Sequence, residues 1–352
     1  MRRLCALLFI LSCAHVGASQ DRIVRIGVLG IFHSQHLTIA SSKDEDLVLS
    51  AGAQQLFLHS RSSCATAELT AANNLVVTRC GRAEFRAATL RAASRNQQAT
   101  RFVLGIPGKI NRRYDGILEV HAKNGEIVPI VAMDLEVAVA SIVQAEAMPG
   151  TPLEALKAQA TISRSYLVAG RGRHVDFDFC DLTHCQFLRE PPDATSLAAQ
   201  AAAATRGLVL AYNGQPIAAM FTRSCGGDTR TPAEIGLPSA GYPYYGVRCE
   251  ICHQNPIRWS RQLTRADAAL LLGRGEQGRL AIDRRLGWNA VPSNNFTARE
   301  HGREVILQGA GQGHGVGLCQ RGARGMAELG SDFKTILDHY FPNTTLKSLS
   351  SN

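Results

Sequence analysis

Apolar and polar residues alternate in short segments through the first third of the chain. Residues 23–28, 75–78 and 117–121 are clear examples, and the turn-forming pair Asn124-Gly125 follows the last of them. Alternation with a period of two, interrupted by turn residues, is typical of strands with one buried face. We therefore predict a β-rich N-terminal module over residues 22–130.

The pattern becomes helical after residue 134. Residues 135–148 are rich in Ala, Val and Ile and contain no helix breaker before Pro149. The next segment combines Thr151 as an N-cap, Pro152 at the first helical position and Glu154 as the partner in a capping box, which predicts a second helix. Together these features predict an α+β fold, with the β-rich module followed by a mixed α+β core over residues 131–346.

The amino terminus predicts export. Met1-Arg2-Arg3 precedes a short apolar run, and small residues follow at 16–19, so residues 1–18 are interpreted as a secretory signal peptide. The expected location is the periplasm or cell envelope. Lipid anchoring at Cys13 is an alternative that fits poorly, because leucine precedes the serine before it. No stretch has the length of about 20 apolar residues that a transmembrane helix needs.

The charge balance points to an anionic partner. The chain has 38 basic and 29 acidic residues, a formal charge of +9. Acidic lipid, nucleic acid and acidic envelope polymers are all anionic, and ordinary solubility would also explain the excess. Export argues against nucleic acid.

Cysteine and histidine residues suggest metal or disulfide chemistry. Four soft or borderline ligands, which together can complete a tetrahedral zinc site, lie within 12 residues: His174, Cys180, His184 and Cys185. A Cys180–Cys185 disulfide is the alternative. Cys249 and Cys252 form either a short-loop disulfide or part of another metal site, and Cys64 is predicted to pair with Cys80.

Two further segments are candidates for chemistry. Glu146 lies among apolar residues at the predicted end of the first helix, and burial would raise its pKa into the range that a general acid needs. The alternative is a capping or surface residue. Residues 309–317 are glycine-rich and contain Gln312 and His314. They allow a ligand to approach the main chain closely, or they form a structural turn.

Several motifs follow one another along the second part of the chain. They are Glu146 with the segment 153–160, Arg164-Ser165-Tyr166, Phe179-Cys180-Asp181, Cys185-Gln186, Ala204-Thr205-Arg206-Gly207, Ser224-Cys225-Gly226-Gly227, Gly313-His314-Gly315-Val316-Gly317, Gly325-Met326-Ala327 and the segment 336–341. In this order the motifs resemble the stage II sporulation protein D family, also called the SpoIID/LytB or amidase-enhancer family. The resemblance covers about residues 115–346.

This resemblance implies a lytic transglycosylase that cleaves denuded peptidoglycan glycan strands and leaves 1,6-anhydro-N-acetylmuramic acid ends. Glu146 would be the catalytic acid, and the four clustered ligands would hold a structural zinc. The sugar groove would be lined by Lys157, Arg164, Gln312, His314 and Gln320. Two departures from the family pattern are Ala147, inserted in the usual Glu-Met-Pro, and Cys319, which replaces a serine.

Two other functions fit the same sequence. One is a non-catalytic peptidoglycan-binding protein that stimulates a cell-wall amidase. The other is a zinc hydrolase, in which chelation would stop turnover while leaving the fold intact. A structural zinc predicts instead that chelation unfolds the domain.

Overall fold

The computed structural model describes residues 22–42, 45–59, 64–79, 81–239 and 241–349. The predicted signal peptide, Cys13 and Cys80 lie outside these ranges. Within them, no helix combines the length and the apolar character that crossing a membrane requires.

Strands dominate the first part of the described chain and helices the second. The strands are β1 Ile23–Gly27, β2 His36–Ser41, β3 Leu47–Ala51, β4 Gln54–Leu58, β5 Cys64–Leu69, β6 Leu75–Arg79, β7 Arg82–Ala87, β8 Thr89–Ala93, β9 Thr100–Ile106, β10 Ile110–Lys123, β11 Glu126–Asp134, β12 Phe179–Cys180, β13 Leu208–Tyr212, β14 Gln215–Pro216, β15 Phe221–Thr222, β16 Arg258–Thr264, β17 Phe296–His301, β18 Glu304–Ala310, β19 Leu318–Cys319 and β20 Thr345–Ser348. The helices are α1 Leu135–Glu146, α2 Leu153–Ala169, α3 Leu197–Ala204, α4 Glu250–Gln254, α5 Arg265–Leu271, α6 Gly275–Leu286, α7 Gln320–Glu328 and α8 Phe333–Tyr340. Short 3-10 turns cover Gly30–Phe32 and Ala233–Ile235. The predicted α+β class is confirmed.

One large sheet organises the N-terminal half. Its strand order is β12-β1-β11-β10-β9-β2-β5-β6-β7, with β8 pairing β10 and β3, and β3 pairing β4. The predicted turn at Asn124-Gly125 joins β10 to β11, and both residues have positive φ, of 52° and 80°. Two consecutive positive φ angles match the twist of a tight hairpin, and Asn-Gly adopts them at low cost.

The sheet continues across the predicted domain boundary at residue 130, which falls inside β11. β1 pairs antiparallel with β11 and parallel with β12, so Phe179 and Cys180 of the second predicted domain extend the sheet of the first. A single buried apolar cluster runs from Val24 to Ala218. The β-rich module and the start of the mixed core therefore share one hydrophobic core.

Helices α1 and α2 follow directly from β11. The Asp134 carboxylate accepts the Glu136 N–H at 2.8 Å and caps α1, while Val139 and Ile142 face the core. The predicted capping box of α2 is wrong. Pro152 occupies the cap position, Thr151 Oγ1 donates to the Met148 carbonyl, and Glu154 accepts the Phe333 N–H from α8.

The C-terminal half contains three smaller sheets. Their strand orders are β14-β13-β20, β15-β19 and β16-β18-β17. In the second of them, β15 and β19 run parallel. This pairing brings residues 221–222, which precede the motif that begins at Ser224, beside residues 318–319, which follow the motif that ends at Gly317.

Candidate functional site

Glu146 is the last residue of α1 and is contacted by three other segments. The Phe187 N–H donates to Glu146 Oε1 at 3.1 Å. Arg223 and Gln320 each donate to the Glu146 backbone carbonyl at 3.3 Å, through Nη1 and Nε2 respectively. The segment after β12, the segment after β15 and the start of α7 therefore fix the main chain and the side chain of Glu146 together.

The environment of Glu146 favours its neutral form. Burial raises the pKa of this carboxyl from 4.5 to about 7, although the hydrogen bond from Phe187 and the charge of Arg223 act in the opposite direction. A carboxyl group with a pKa near neutrality is partly protonated at pH 7 and can donate a proton to a leaving group. The sequence predicts a buried carboxyl with a raised pKa at position 146, and this environment agrees with that prediction.

A groove of about 470 Å³ lies next to the end of α1. Met148, Arg223, Gln312, Arg321 and Arg324 are among the residues that line it, and Arg223 also contacts the Glu146 carbonyl. The single acidic lining residue, among the described residues, is Glu328, which pairs with Arg324 at 2.7 Å. The groove is therefore positively charged, and it suits an anionic ligand.

The predicted substrate-binding residues fall in different places. Gln312 lines the groove, and its main chain pairs with Ser224. The side chain of Gln320 contacts Glu146 and also Gln159, whose Oε1 lies 3.4 Å from its Nε2. The structure thus places Gln312 in the groove and Gln320 in contact with Glu146 at the end of α1.

His314 is half-buried in the glycine-rich segment. Its Nδ1 accepts the Val316 N–H at 3.0 Å, and its carbonyl faces Asn294. Desolvation lowers the pKa of this imidazole below 6.5, although the negative charge of Glu276 acts against the shift. His314 is therefore neutral at pH 7.

Lys157 faces another part of the molecule. Its ammonium pairs with Glu154 at 2.6 Å and lies 6.0 Å from the ring centroid of Phe333 on α8. It is not among the described residues that line the groove.

The prediction that Arg164 lines the groove is wrong. Its side chain is fully buried and makes two hydrogen bonds to the Glu136 carboxylate, at 2.9 and 2.6 Å. It also donates to the carbonyls of Ala202 and Leu208. A guanidinium with these partners joins α1, α2, α3 and β13 from inside the core and has no face left for a sugar.

The four predicted metal ligands converge. The ligand atoms of His174, Cys180, His184 and Cys185 all lie within 4.8 Å of one another. Cys185 Sγ is 3.3 Å from His174 Nε2 and 3.6 Å from His184 Nδ1, and Cys180 Sγ is 3.9 Å from the same His184 atom. Tetrahedral zinc bonds of about 2.3 Å to sulfur and 2.05 Å to nitrogen place such atoms about 3.5 Å apart. The donor set and its spacing therefore fit a zinc ion.

Sequence reasoning missed the Phe187 amide and Arg223. A backbone N–H has no sequence signature, so the first was not accessible from the chain alone. Arg223 directly precedes the Ser224-Cys225-Gly226-Gly227 motif, and that position was a usable signal.

Comparisons with known proteins find one family model and several similar proteins. The family model SpoIID, described as stage II sporulation protein, matches residues 123–212, which contain Glu146 and all four predicted metal ligands around Cys185. A protein of Brachyspira hyodysenteriae named only as uncharacterised is 29% identical over 261 residues, covering 65% of this chain and 70% of its own length.

Two Bacillus subtilis proteins are also similar. The stage II sporulation protein D is 28% identical over 263 residues, 60% of this chain and 74% of that protein. The amidase enhancer is 24% identical over 274 residues, 56% of this chain. The similar region spans only 38% of the amidase enhancer's length.

Proposed function

We propose that the chain is a peptidoglycan lytic transglycosylase that acts on denuded glycan strands. The chain belongs to the SpoIID family, and the similar proteins indicate a function related to the cell wall. The observation that carries this proposal is the Glu146 carboxyl, which has a pKa of about 7. The Glu146 backbone carbonyl accepts a hydrogen bond from Arg223, and Arg223 lines a positively charged groove.

The proposed reaction needs one carboxyl group. Protonated Glu146 donates its proton to the glycosidic oxygen as the bond between this oxygen and the anomeric carbon of N-acetylmuramic acid breaks. The C6 hydroxyl of the same sugar attacks that carbon and forms the 1,6-anhydro ring. Its proton then passes to the Glu146 carboxylate, so the acid is restored and no water is consumed.

The surroundings of Glu146 support a single-carboxyl reaction. Among the described residues, the groups that shift its pKa besides burial are the Phe187 amide and the Arg223 guanidinium, and neither is a carboxylate. Retaining glycosidases instead use a second carboxylate about 5 to 5.5 Å away, and a negative charge that close would raise the pKa of Glu146.

The charge of the groove supports denuded glycan as the substrate. Removal of the stem peptide leaves a free lactyl carboxylate on each N-acetylmuramic acid. Arg223 and Arg321 can pair with such groups, and an arginine binds a carboxylate through two hydrogen bonds at once. A stem peptide would occupy this position and remove the negative charge next to the sugar.

The cluster of His174, Cys180, His184 and Cys185 is proposed to hold a structural zinc. Four protein ligands leave no open position for substrate or water, so the ion's contribution is to stabilise the loop. Phe187 lies two residues after Cys185 and donates to Glu146. The zinc would thereby fix the position of the amide that contacts the acid.

The amidase-enhancer relative supports a second candidate, a glycan-binding protein that stimulates an amidase without cleaving glycan. Mass spectrometry of denuded strands, incubated with the wild type and with Glu146→Gln, separates the two functions. We expect anhydro-ended fragments from the wild type alone. The control Glu300→Gln removes an exposed carboxylate that pairs with Arg265 and should retain activity.

Uncleaved strands that still co-sediment with the wild-type protein would contradict the transglycosylase proposal and favour the binding function. Equal cleavage by the wild type and by Glu146→Gln would show that Glu146 is not the catalytic acid.

A further inference from the structure

A second group of metal-ligating side chains lies in the core of the C-terminal half. Cys225, Cys249, Cys252 and Cys319 are all buried, and their four sulfur atoms lie within 4.8 Å of one another. Cys225 follows β15, Cys249 and Cys252 flank the start of α4, and Cys319 ends β19. Three separate segments therefore contribute to one cluster, and Cys225 and Cys319 are 94 residues apart in the chain.

The distances fit a single ion. Cys252 Sγ and Cys319 Sγ are 3.6 Å apart. Tetrahedral zinc with bonds of about 2.3 Å to sulfur separates its thiolates by about 3.8 Å. In an iron–sulfur cluster the thiolates on different iron atoms are separated by the irons and inorganic sulfides between them, so four sulfur atoms that all lie within 4.8 Å of one another are too close for such a cluster.

The groups around the cluster donate hydrogen bonds to sulfur. The Cys225 and Gly322 N–H groups both lie 3.4 Å from Cys319 Sγ. The Tyr340 hydroxyl donates to Cys249 Sγ and the Ser224 hydroxyl lies beside Cys252 Sγ, each at 3.4 Å. Donors aimed at sulfur stabilise thiolates, and such partners accompany thiolate ligands in metal sites. A disulfide sulfur carries no charge and gains much less from them.

We propose that Cys225, Cys249, Cys252 and Cys319 bind a second structural zinc ion, separate from the site formed by His174, Cys180, His184 and Cys185. A complete set of four thiolates in tetrahedral arrangement is a closed zinc site, which stabilises folding and takes no part in a reaction.

The location of this site gives it a positioning role. Arg223 lies two residues before Cys225, and Gln320 directly follows Cys319. Both side chains donate to the Glu146 carbonyl. An ion bound by Cys225 and Cys319 holds these two segments together next to the residues that contact Glu146. The two zinc sites then restrain different contacts of the same glutamate.

X-ray absorption at the zinc edge of the full chain, purified without added metal, tests the proposal. One site of two sulfurs and two nitrogens and one of four sulfurs average to three sulfurs and one nitrogen per zinc. We expect this average and two zinc ions per chain. In His184→Ala, which removes a ligand of the first site only, the remaining zinc should have a shell of sulfur alone.

A matched pair of cysteine variants assigns the ion by elemental analysis. Cys252→Ser should lose one zinc equivalent, while Cys64→Ser, at an exposed cysteine outside both clusters, should lose none. The wild-type absorption measurement remains decisive if Cys252→Ser fails to fold. A shell of two sulfurs and two nitrogens with one zinc per chain would overturn the proposal, as would iron in the site. Peptide mapping that finds these cysteines in disulfides would also overturn it.

Neither measurement uses glycan. A failure of this proposal is therefore distinct from a failure of the proposed transglycosylase function.

Discussion

The backbone N–H of Phe187 lies 3.1 Å from Glu146 Oε1, and this hydrogen bond joins the loop of the first ligand cluster to the candidate acid. Cys185 is two residues upstream of Phe187 and has His174 and His184 as neighbours. A metal ion that stabilises this loop would therefore affect the pKa and the position of Glu146 without contacting the substrate.

The first prediction concerns the pH dependence of glycan cleavage. The reaction requires protonated Glu146, whose pKa is raised to about 7 by burial. We expect kcat/KM to be constant below pH 7 and to fall about tenfold for each pH unit above it. The measurement is the initial rate of anhydro-product formation between pH 5 and pH 9. A decline centred near 4.5, the usual value, would show that the carboxyl is not shifted.

Two arginine variants provide the control for this profile. The charge of Arg223 lowers the pKa of Glu146, so Arg223→Gln should move the decline to higher pH. Arg324→Gln removes a charge from the same groove at a residue that pairs with Glu328. It should raise KM and leave the midpoint unchanged.

The stability of Glu146→Gln gives an independent check of the same shift. The folded-state pKa of Glu146 is above the unfolded value of 4.5. Burial of this carboxyl therefore does not lower the free energy of unfolding of the wild type below pH 4.5, but lowers it as the pH rises towards 7. Glutamine carries no charge at any of these values. The variant should therefore have a higher Tm than the wild type above pH 7 and an equal Tm below pH 4.5. An equal difference at all pH values would contradict this account.

A second prediction tests the proposed zinc loop. His184→Ala removes one ligand, so we expect loss of one zinc per chain and a decrease in kcat of roughly tenfold or more. The Phe187 N–H lowers the pKa of Glu146. If the loop moves and this bond is lost, the descending limb of the pH profile should shift to higher pH.

Two further variants make this result specific. His184→Cys supplies another zinc ligand and should restore both metal content and the wild-type pH profile. His59→Ala changes an exposed histidine that pairs with Asp46, and it should behave like the wild type. Full activity of metal-free His184→Ala would show that the zinc ion is not needed for the contact between Phe187 and Glu146.

The sequence predicted those features that depend on local pattern. The alternating segments became β1, β6 and part of β10, and the helical segment after residue 134 became α1. Strand β16 was missed because only Leu263 of its seven residues is buried, so its sequence has no alternation. The four side chains around Cys185 were grouped as predicted ligands because they are close in sequence, and the structure brings their ligand atoms together. Cys225 and Cys319 were not grouped because only the fold brings them together.

Arg164 shows what the pattern within one helix does not reveal. Residues seven apart, as Lys157 and Arg164 are, lie on the same face of a helix, and a polar face is usually exposed. The partner that makes burial possible is Glu136, 28 residues earlier on α1. The pattern within a helix does not reveal such a partner, because the pairing depends on how two helices pack.

The third prediction follows from this buried pair. Arg164→Ala leaves Glu136 without its main partner inside the protein, and removal of one member of a buried ion pair costs about 3–5 kcal/mol. Urea unfolding should show a loss of this size. Arg113→Ala, which breaks an exposed pair with Glu190, should cost less than about 1 kcal/mol. A similar small loss for both variants would contradict the structural role of Arg164.

The fourth prediction concerns Gly322, in the first turn of α7. A Cβ atom there would collide with the Tyr340 hydroxyl and with Cys249 Sγ. The site has no free space, because both atoms belong to the four-cysteine cluster or donate to it. We therefore expect Gly322→Ala to displace Cys249, lower the zinc content by one equivalent and reduce Tm. Gly30→Ala is the control, since a Cβ at Gly30 meets no atom within 4 Å. Two zinc ions and an unchanged Tm in Gly322→Ala would show that the cluster is looser than the structure indicates.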